Sequence, residues 1–241
     1  AANVDNQFIN IPLGWSYFST YIDPFEANLF DICAPFISDV VIIKDGLGST
    51  FWPQYQINLI GDITIGEGYQ IKLASANTMN VIGLSIQPEN TPITVVQGWS
   101  FLGYLRENPG PIDLMLNTIV LEIIIVKNGL GQIYWPQWGI NLIGNMVPGE
   151  GYQINMSTQQ NLIYPANSIV FTKQEIYQPP SIHFKKAKNT GNNMSLGLIT
   201  SNYDYGSEIG IFNQAGILVG SSVIKGEFTA ITLWGDDEIT Q

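Results

Sequence analysis

The sequence predicts a mainly β protein made of two tandem homologous β-rich units with a short helix, followed by a smaller C-terminal β-unit. The first observation is a duplication, because residues 44–61 and 66–71 return as residues 127–144 and 149–154. A repeated block of this kind indicates two copies of one folding unit. The second is a series of short apolar or alternating runs separated by Gly, Pro, Asn and Asp, a pattern typical of strands and turns.

The first repeat, residues 1–87, is predicted to begin with strands. Residues 7–22 alternate between apolar and polar over much of their length, and Gly14 divides them into two short strands. In Asp23-Pro24-Phe25-Glu26, the aspartate is expected to cap a short helix and the glutamate to complete a capping box. Pro35 is expected to end or kink this helix.

A hairpin is predicted after the helix. Residues 40–43 form a buried apolar strand, residues 45–48 a turn, and residues 49–52 the returning strand. Lys44 is interpreted as a charge that discourages edge-to-edge aggregation of this strand. The remaining predicted elements are a tight turn at residues 66–68 and strands at residues 69–73 and 78–86.

The second repeat, residues 88–178, follows the first at a nearly constant distance. Trp99 lies 84 positions after Trp15, whereas from Lys127 onward the offset is 83. The slip is placed at residues 108–111, in a connection, where related folds tolerate insertions and deletions. Each repeat is expected to be closed by its own tryptophan-bearing hairpin in a similar setting.

The C-terminal β-unit, residues 179–241, is predicted to follow a linker near Pro179 and Pro180. It is rich in strand-like runs but does not repeat the first two units. A unit of about 60 residues is marginally stable alone. We therefore expect it to lean on the second repeat or on another chain.

The first repeat contains the motifs Gly14-Trp15-Ser16, Lys44-Asp45-Gly46, Trp52-Pro53, Ile57-Asn58 with Ile60-Gly61, and Gly66-Glu67-Gly68-Tyr69-Gln70, and the second repeats nearly all of them. With these motifs the repeats resemble modules of secreted and cell-surface proteins of Bacteroidetes-type bacteria, which are often exported by the type IX pathway. The C-terminal β-unit is similar to a domain that often follows such modules, through Thr190-Gly191-Asn192-Asn193-Met194, Glu208-Ile209-Gly210-Ile211-Phe212 and Trp234-Gly235-Asp236-Asp237. The resemblance implies export and a modular, non-catalytic surface role. It also implies further strands after Trp234.

Charge and hydropathy restrict the partners. Nine Lys and Arg against twenty Asp and Glu give a net charge of -11, which repels a phosphate backbone and excludes nucleic acid as an expected partner. No apolar run approaches the roughly 20 residues of a membrane-spanning helix. A mean hydropathy of +0.13 with so few charges predicts apolar surface covered by neighbouring modules or by a homo-oligomer. The opening Ala1-Ala2-Asn3 would suit a mature chain whose signal peptide has been removed. The extracellular location that we expect is what the resemblance implies.

The candidate binding residues are the aromatic side chains beside each Trp-Pro corner. Trp52 with Tyr55, and Trp135 with Trp138, could pack in the core, stack on sugar rings or contact another subunit. No cofactor is expected except calcium, for which Asp236, Asp237 and Glu238 supply an acidic cluster. The other interpretation of that cluster is a solvated turn.

No catalytic constellation is found in the sequence, so the chain is not expected to be an enzyme. Glu67 and Glu150 lack the second carboxylate that glycoside hydrolysis needs. His183 is the sole histidine and Cys33 the sole cysteine. The first expectation is therefore an extracellular structural or adhesive module that could form a fibre of identical subunits. The alternative is a carbohydrate-binding module that uses the aromatic corners.

Overall fold

The computed structural model describes residues 3–177 and 179–236. The first repeat consists of strands and one short α-helix, with 3-10 turns at Ala34–Asp39 and Pro53–Tyr55 between them, and a further 3-10 turn at Pro88–Asn90 follows its last strand. Its elements are β1 (Val4–Ile11), β2 (Gly14–Phe18), β3 (Ile22–Pro24), α1 (Leu29–Cys33), β4 (Val40–Lys44), β5 (Thr50–Trp52), β6 (Ile57–Asn58), β7 (Tyr69–Leu73) and β8 (Asn77–Ser85).

Two antiparallel sheets make up the first repeat. One has the order β2-β7-β4-β5-β6, and the other has the order β1-β8-β3. In the first sheet Gly14 lies opposite Leu73, and the register between β4 and β7 shifts between Val40 and Ile42. The predicted hairpin is present, because Ile43 pairs with Phe51.

The second repeat has most of the same elements in the same order. Its elements are β9 (Ile93–Val95), β10 (Gly98–Gly103), β11 (Gly110–Pro111), α2 (Ile112–Met115), β12 (Ile123–Asn128), β13 (Ile133–Trp135), β14 (Ile140–Asn141), β15 (Asn145–Met146), β16 (Gly151–Met156) and β17 (Gln160–Leu162), with 3-10 turns at Asn117–Glu122 and Pro136–Trp138. The exceptions are that β3 has no counterpart and that the pair β11-β15 stands where repeat 1 has an isolated bridge between Asn28 and Asp62.

The register of the second repeat repeats that of the first. Its main sheet has the order β10-β16-β12-β13-β14. Gly98 lies opposite Met156, as Gly14 lies opposite Leu73, and the shift between Ile123 and Ile125 reproduces the earlier one. The predicted mainly β fold with two homologous units is confirmed. We call residues at equivalent positions mates; they are 84 positions apart up to β10 and 83 from α2 onward.

The start of α1 differs from the prediction. Asp23 and Pro24 belong to β3, so they cap no helix. The cap is Asn28, whose side-chain oxygen accepts a hydrogen bond from the Phe30 amide at 3.1 Å. Tertiary pairing of β3 with β8 overrode the local capping signal. The helix ends before Pro35, as expected.

The interpretation of Lys44 as an edge charge is wrong. Its strand β4 lies inside the sheet, between β7 and β5. The Lys44 ammonium instead lies 5.4 Å from the centre of the Trp15 ring, a cation–π distance.

Each repeat has its own apolar core. The first is built around residues such as Leu29, Ile43 and Phe51, and the second around residues such as Ile112, Val126 and Ile154. Both α-helices contribute buried residues to these cores. Cys33 is fully buried on α1, and desolvation raises the pKa of its thiol to about 12.

The C-terminal β-unit contains two strand pairs. Its strands are β18 (Asn193–Ile199), β19 (Glu208–Phe212), β20 (Leu218–Val223) and β21 (Phe228–Trp234). β18 pairs with β21, and β19 pairs with β20. Ala230 of β21 packs with Ile125 and Ile133 of the second repeat, so this unit leans on that repeat.

No helix in residues 3–177 or 179–236 is long and apolar enough to cross a membrane.

Candidate functional site

The two repeats contact each other reciprocally. The Gly103 amide donates to the Gly66 carbonyl at 2.8 Å, and the Ser19 amide donates to the Gly149 carbonyl at 3.0 Å. Ser19 and Gly103 are mates, as are Gly66 and Gly149. Contacts in which each side uses the same pair of positions are the pattern of an isologous interface.

The glycines of the two Gly-Glu-Gly motifs allow this close approach. A Cβ atom at Gly68 would lie 2.8 Å from the Leu102 carbonyl oxygen, and one at its mate Gly151 would lie 2.6 Å from the Phe18 carbonyl oxygen. Sequence reasoning explained these glycines by a tight turn alone. Only the duplication itself, which keeps both glycines, could have indicated a contact between the copies.

The glutamate side chains of these motifs, Glu67 and Glu150, are hydrogen-bonded within their own repeats. The Tyr69 hydroxyl donates to Glu67 at 3.3 Å, and the Tyr152 hydroxyl donates to Glu150 at 2.9 Å. Burial raises the pKa of Glu150, and the Tyr152 hydrogen bond opposes that rise. Each carboxylate therefore accepts a hydrogen bond from a neighbouring tyrosine. The tyrosine hydroxyl oxygen in turn accepts a hydrogen bond from the amide of Thr64 in the first repeat or Val147 in the second.

The two aromatic corners have the same local conformation. Each Trp-Pro is followed by a 3-10 turn that ends in a left-handed residue, Gln56 in the first repeat and Gly139 in the second. The Trp52 and Tyr55 rings meet edge to face with centroids 4.8 Å apart. The Trp135 and Trp138 rings do the same at 6.3 Å. Each predicted pair is thus brought together, but as crossed rings and not as one flat platform.

The surroundings of the two corners differ, contrary to the expectation of similar settings. The C-terminal β-unit packs against the second corner, because Trp138 lies 5.3 Å from Phe228, centroid to centroid, although 45% of Trp138 stays exposed. A Cβ atom at Gly197 would lie 3.2 Å from the Trp135 ring. Sequence reasoning missed this because nothing local marks which copy the C-terminal β-unit chooses.

The outer face of repeat 2 is the sheet surface that the C-terminal β-unit covers. It comprises Ile125, Ile133, Trp135, Ile140 and Leu142. The mates of these residues define the outer face of repeat 1: Ile42, Thr50, Trp52, Ile57 and Leu59.

The outer face of repeat 1 is open at its β6 edge only, because Ile42 on β4 is buried (3% exposed) and Trp52 is partly buried like its mate Trp135. Leu59 is 72% exposed and Ile57 is 37% exposed, whereas their mates Leu142 and Ile140 are both partly buried. Tyr55, beside this face, is 57% exposed. The chain therefore presents an apolar surface on one repeat that it buries on the other.

Residues 189–193, which we call the strap, lie across the junction of the repeats and lead into β18. The Gln70 side-chain amide donates to the Gly191 carbonyl at 2.7 Å, and Gly191 packs against the Trp15 ring. The Asn189 side-chain amide donates to the Gly129 carbonyl at 2.8 Å. The Asn189 side-chain amide also donates to the Trp15 carbonyl at 3.3 Å, so the strap is bonded to both repeats.

Lys127 holds the end of the strap. Its ammonium donates to the side-chain oxygen of Asn193 at 3.1 Å and lies 5.1 Å from the Trp99 ring centre. Desolvation lowers the pKa of this ammonium to about 8. The charge is thus held by a carbonyl, an amide and a ring, without a carboxylate among the hydrogen bonds it makes to described residues.

A cleft of about 240 Å³ lies beside the strap at the junction of the repeats. Its walls include Lys44, Phe101 and Gln153, the mates of Lys127, Tyr17 and Gln70. The Tyr17 and Phe101 rings meet edge to face at 5.1 Å between these walls.

The predicted calcium cluster lies mostly outside the described residues. Asp236 is described and exposed, whereas Asp237 and Glu238 are not among the described residues. Within the described part of the chain, no group of three or more His, Cys, Asp or Glu is placed to hold a metal ion. The calcium site stays a prediction.

Comparison of the chain with protein-family models, with curated proteins and with solved structures finds no match.

Proposed function

We propose that the chain is an extracellular structural or adhesive module that assembles with copies of itself or with neighbouring modules. The observation that carries the proposal is the outer face of repeat 1, with Leu59 72% exposed, whose counterpart on repeat 2 is buried by a β-unit. Exposed apolar surface next to an ordered sheet is typical of an interaction surface.

The rigid pairing of the repeats supports this role. Reciprocal hydrogen bonds and close glycine contacts hold the repeats together, so the outer face of repeat 1 has a fixed orientation relative to the C-terminal β-unit. A fixed angle between a binding surface and its complement gives a regular assembly, and a contact that does not close yields a filament.

A carbohydrate-binding role is the second candidate, and one observation favours it at the first corner. Tyr55 is 57% exposed there and lies beside exposed Gln54, which gives an aromatic face next to a polar group. Glycan-array binding that is lost in Trp52→Ala and retained in Trp138→Ala would support it, because one side of Trp138 already packs against Phe228.

Negative-stain microscopy of the purified chain, with and without calcium, tests the structural role. We expect elongated assemblies that grow in number with protein concentration. A monodisperse small particle under all these conditions, confirmed by sedimentation at the mass of one 26.6 kDa chain, would contradict the proposal.

A further inference from the structure

The residues that hold the strap and the C-terminal β-unit are duplicated with their identities kept. The residues in use are Trp15, Gln70, Lys127, Gly129, Gly131 and Trp135. Their mates are Trp99, Gln153, Lys44, Gly46, Gly48 and Trp52. The chain therefore carries a second set of the same contact groups, arranged on the other half of the tandem.

Part of this second set is accessible in the described chain, whereas Lys44 and Trp52 are partly buried. Trp99 is 46% exposed, whereas its mate Trp15 is 7% exposed beneath Gly191. The Gln153 side-chain amide makes no hydrogen bond to a described residue, whereas Gln70 donates to the strap. The cleft beside the strap gives access to Gln153 and Lys44.

The second set matches one kind of occupant. Gln153 can donate to a main-chain carbonyl as Gln70 does to Gly191, and Lys44 can donate to an asparagine as Lys127 does to Asn193. The Trp52 ring can pack against a strand glycine as the Trp135 ring packs against Gly197. A segment with the sequence and fold of residues 189–234 has these groups in this order.

We propose that the outer face of repeat 1 binds the strap and C-terminal β-unit of a second copy of this chain. The proposal rests on the proposed function and names its surface and its partner. A unit that moves from its own repeat 2 to a neighbour's repeat 1 exchanges one set of contacts for an equivalent set. Such an exchange is a low-cost route to association, and here the contact is heterologous, so it propagates from copy to copy.

Two differences between the faces explain why the chain's own unit stays on repeat 2. Ile133 of the covered face has Thr50 as its mate, and Trp138 has Tyr55. The face of repeat 1 is therefore less apolar, and the linker also gives the chain's own unit a high effective concentration on repeat 2. Binding to repeat 1 of another copy consequently needs a high protein concentration, or a weakened contact between the C-terminal β-unit and repeat 2 of its own chain.

A disulfide trap between two full-length chains tests the proposal. One chain carries Leu59→Cys. The other carries Ala230→Cys together with Leu142→Lys, which weakens the contact between its C-terminal β-unit and its own repeat 2. Ala230 packs in the cluster that contains Leu142, so in a copy docked on repeat 1 it faces Leu59. Cys33 is fully buried and does not compete.

The expected result is a covalent dimer that mass spectrometry assigns to a 59–230 disulfide, at least about tenfold more abundant than in the control mixture. The control replaces Leu59→Cys with Leu13→Cys, a leucine of similar exposure (68%) away from the face. A chain with both Leu142→Cys and Ala230→Cys serves as the geometric reference and should close its disulfide within one molecule.

Dimer yield equal to the Leu13→Cys control, while the reference disulfide forms, would overturn the proposal. The outcome is separable from the test of the proposed function. If the unaltered chain forms elongated assemblies but the cysteine variants form no 59–230 disulfide, the proposed function stands and this binding surface is wrong. If the variants form the 59–230 disulfide but the unaltered chain never assembles, this binding surface stands and the proposed function is wrong.

Discussion

Gly68 of the first repeat faces the main chain of Leu102 in the second repeat so closely that a Cβ atom at Gly68 would lie 2.8 Å from the Leu102 carbonyl oxygen. The obstacle is backbone and cannot rotate away. The motif glycine therefore determines how near the two repeats come, and its mate Gly151 does the same against Phe18.

We expect Gly68→Ala and Gly151→Ala each to lower the free energy of unfolding by about 1–3 kcal/mol, because the added methyl group forces the repeats apart. Urea denaturation measures this change. Gly226→Ala is the control, since a Cβ atom there meets nothing within 4 Å. Unchanged midpoints in both motif variants would show that the repeats are not in this contact.

The paired leucines of the two outer faces should respond differently to the same substitution. Leu142→Ala removes apolar contact with the C-terminal β-unit and should cost about 1–2 kcal/mol of unfolding free energy. Leu59→Ala changes a side chain that is 72% exposed and should stay within about 0.5 kcal/mol. Equal effects in dilute solution, measured by urea denaturation, would mean that the faces are not covered differently.

Lys127 should give the chain a stability that rises with pH. Desolvation lowers the pKa of Lys127 from 10.5 to about 8 in the folded state. Between these values the unfolded chain binds more protons than the folded chain, so the free energy of unfolding increases with pH. Lys127→Met should flatten this rise. Urea midpoints of both chains across the window measure it, and identical slopes would contradict the lowered pKa.

Glu208 should make the C-terminal β-unit sensitive to acid. Its carboxylate accepts from the Ser181 hydroxyl and from the amides of Ile182, His183 and Phe184, which lowers its pKa from 4.5 to about 2. The stabilisation is present above pH 4.5 and is lost as the pH falls toward 2.

The measurement for Glu208 is hydrogen exchange of the β19 amides across this acidic range. Protection in the unaltered chain should decline as the pH is lowered, after correction for intrinsic exchange rates. In Glu208→Gln it should be weaker from the start and should change little with pH. A parallel decline in both chains would rule out Glu208 as the titrating group.

The sequence was sufficient for the duplicated fold because both signals are local. The repeated motifs and the apolar runs predict the hairpin of β4 and β5, and the structure pairs Ile43 with Phe51 as expected. Local signals failed where tertiary pairing decided. Asp23 has the chemistry of a helix cap, but it lies in β3, opposite Leu84 of β8.

The candidate site was predictable only in part. The sequence places Trp52 near Tyr55 and Trp135 near Trp138, because three positions separate each pair. It does not reveal that a distant strand packs against Trp138, since that contact depends on the path of the chain through the strap. Lys44 was misjudged for the same reason, because strand order within a sheet is non-local.

The Gly66–Gly103 hydrogen bond and its mate have a consequence for a repeat in isolation. A single repeat carries both halves of this contact, so the tandem is equivalent to a homodimer whose subunits have been fused end to end. The connecting residues 86–92 replace the cost of association with a high local concentration. A substitution in one repeat consequently alters only one of the two equivalent contacts, whereas in a homodimer the same substitution would alter both.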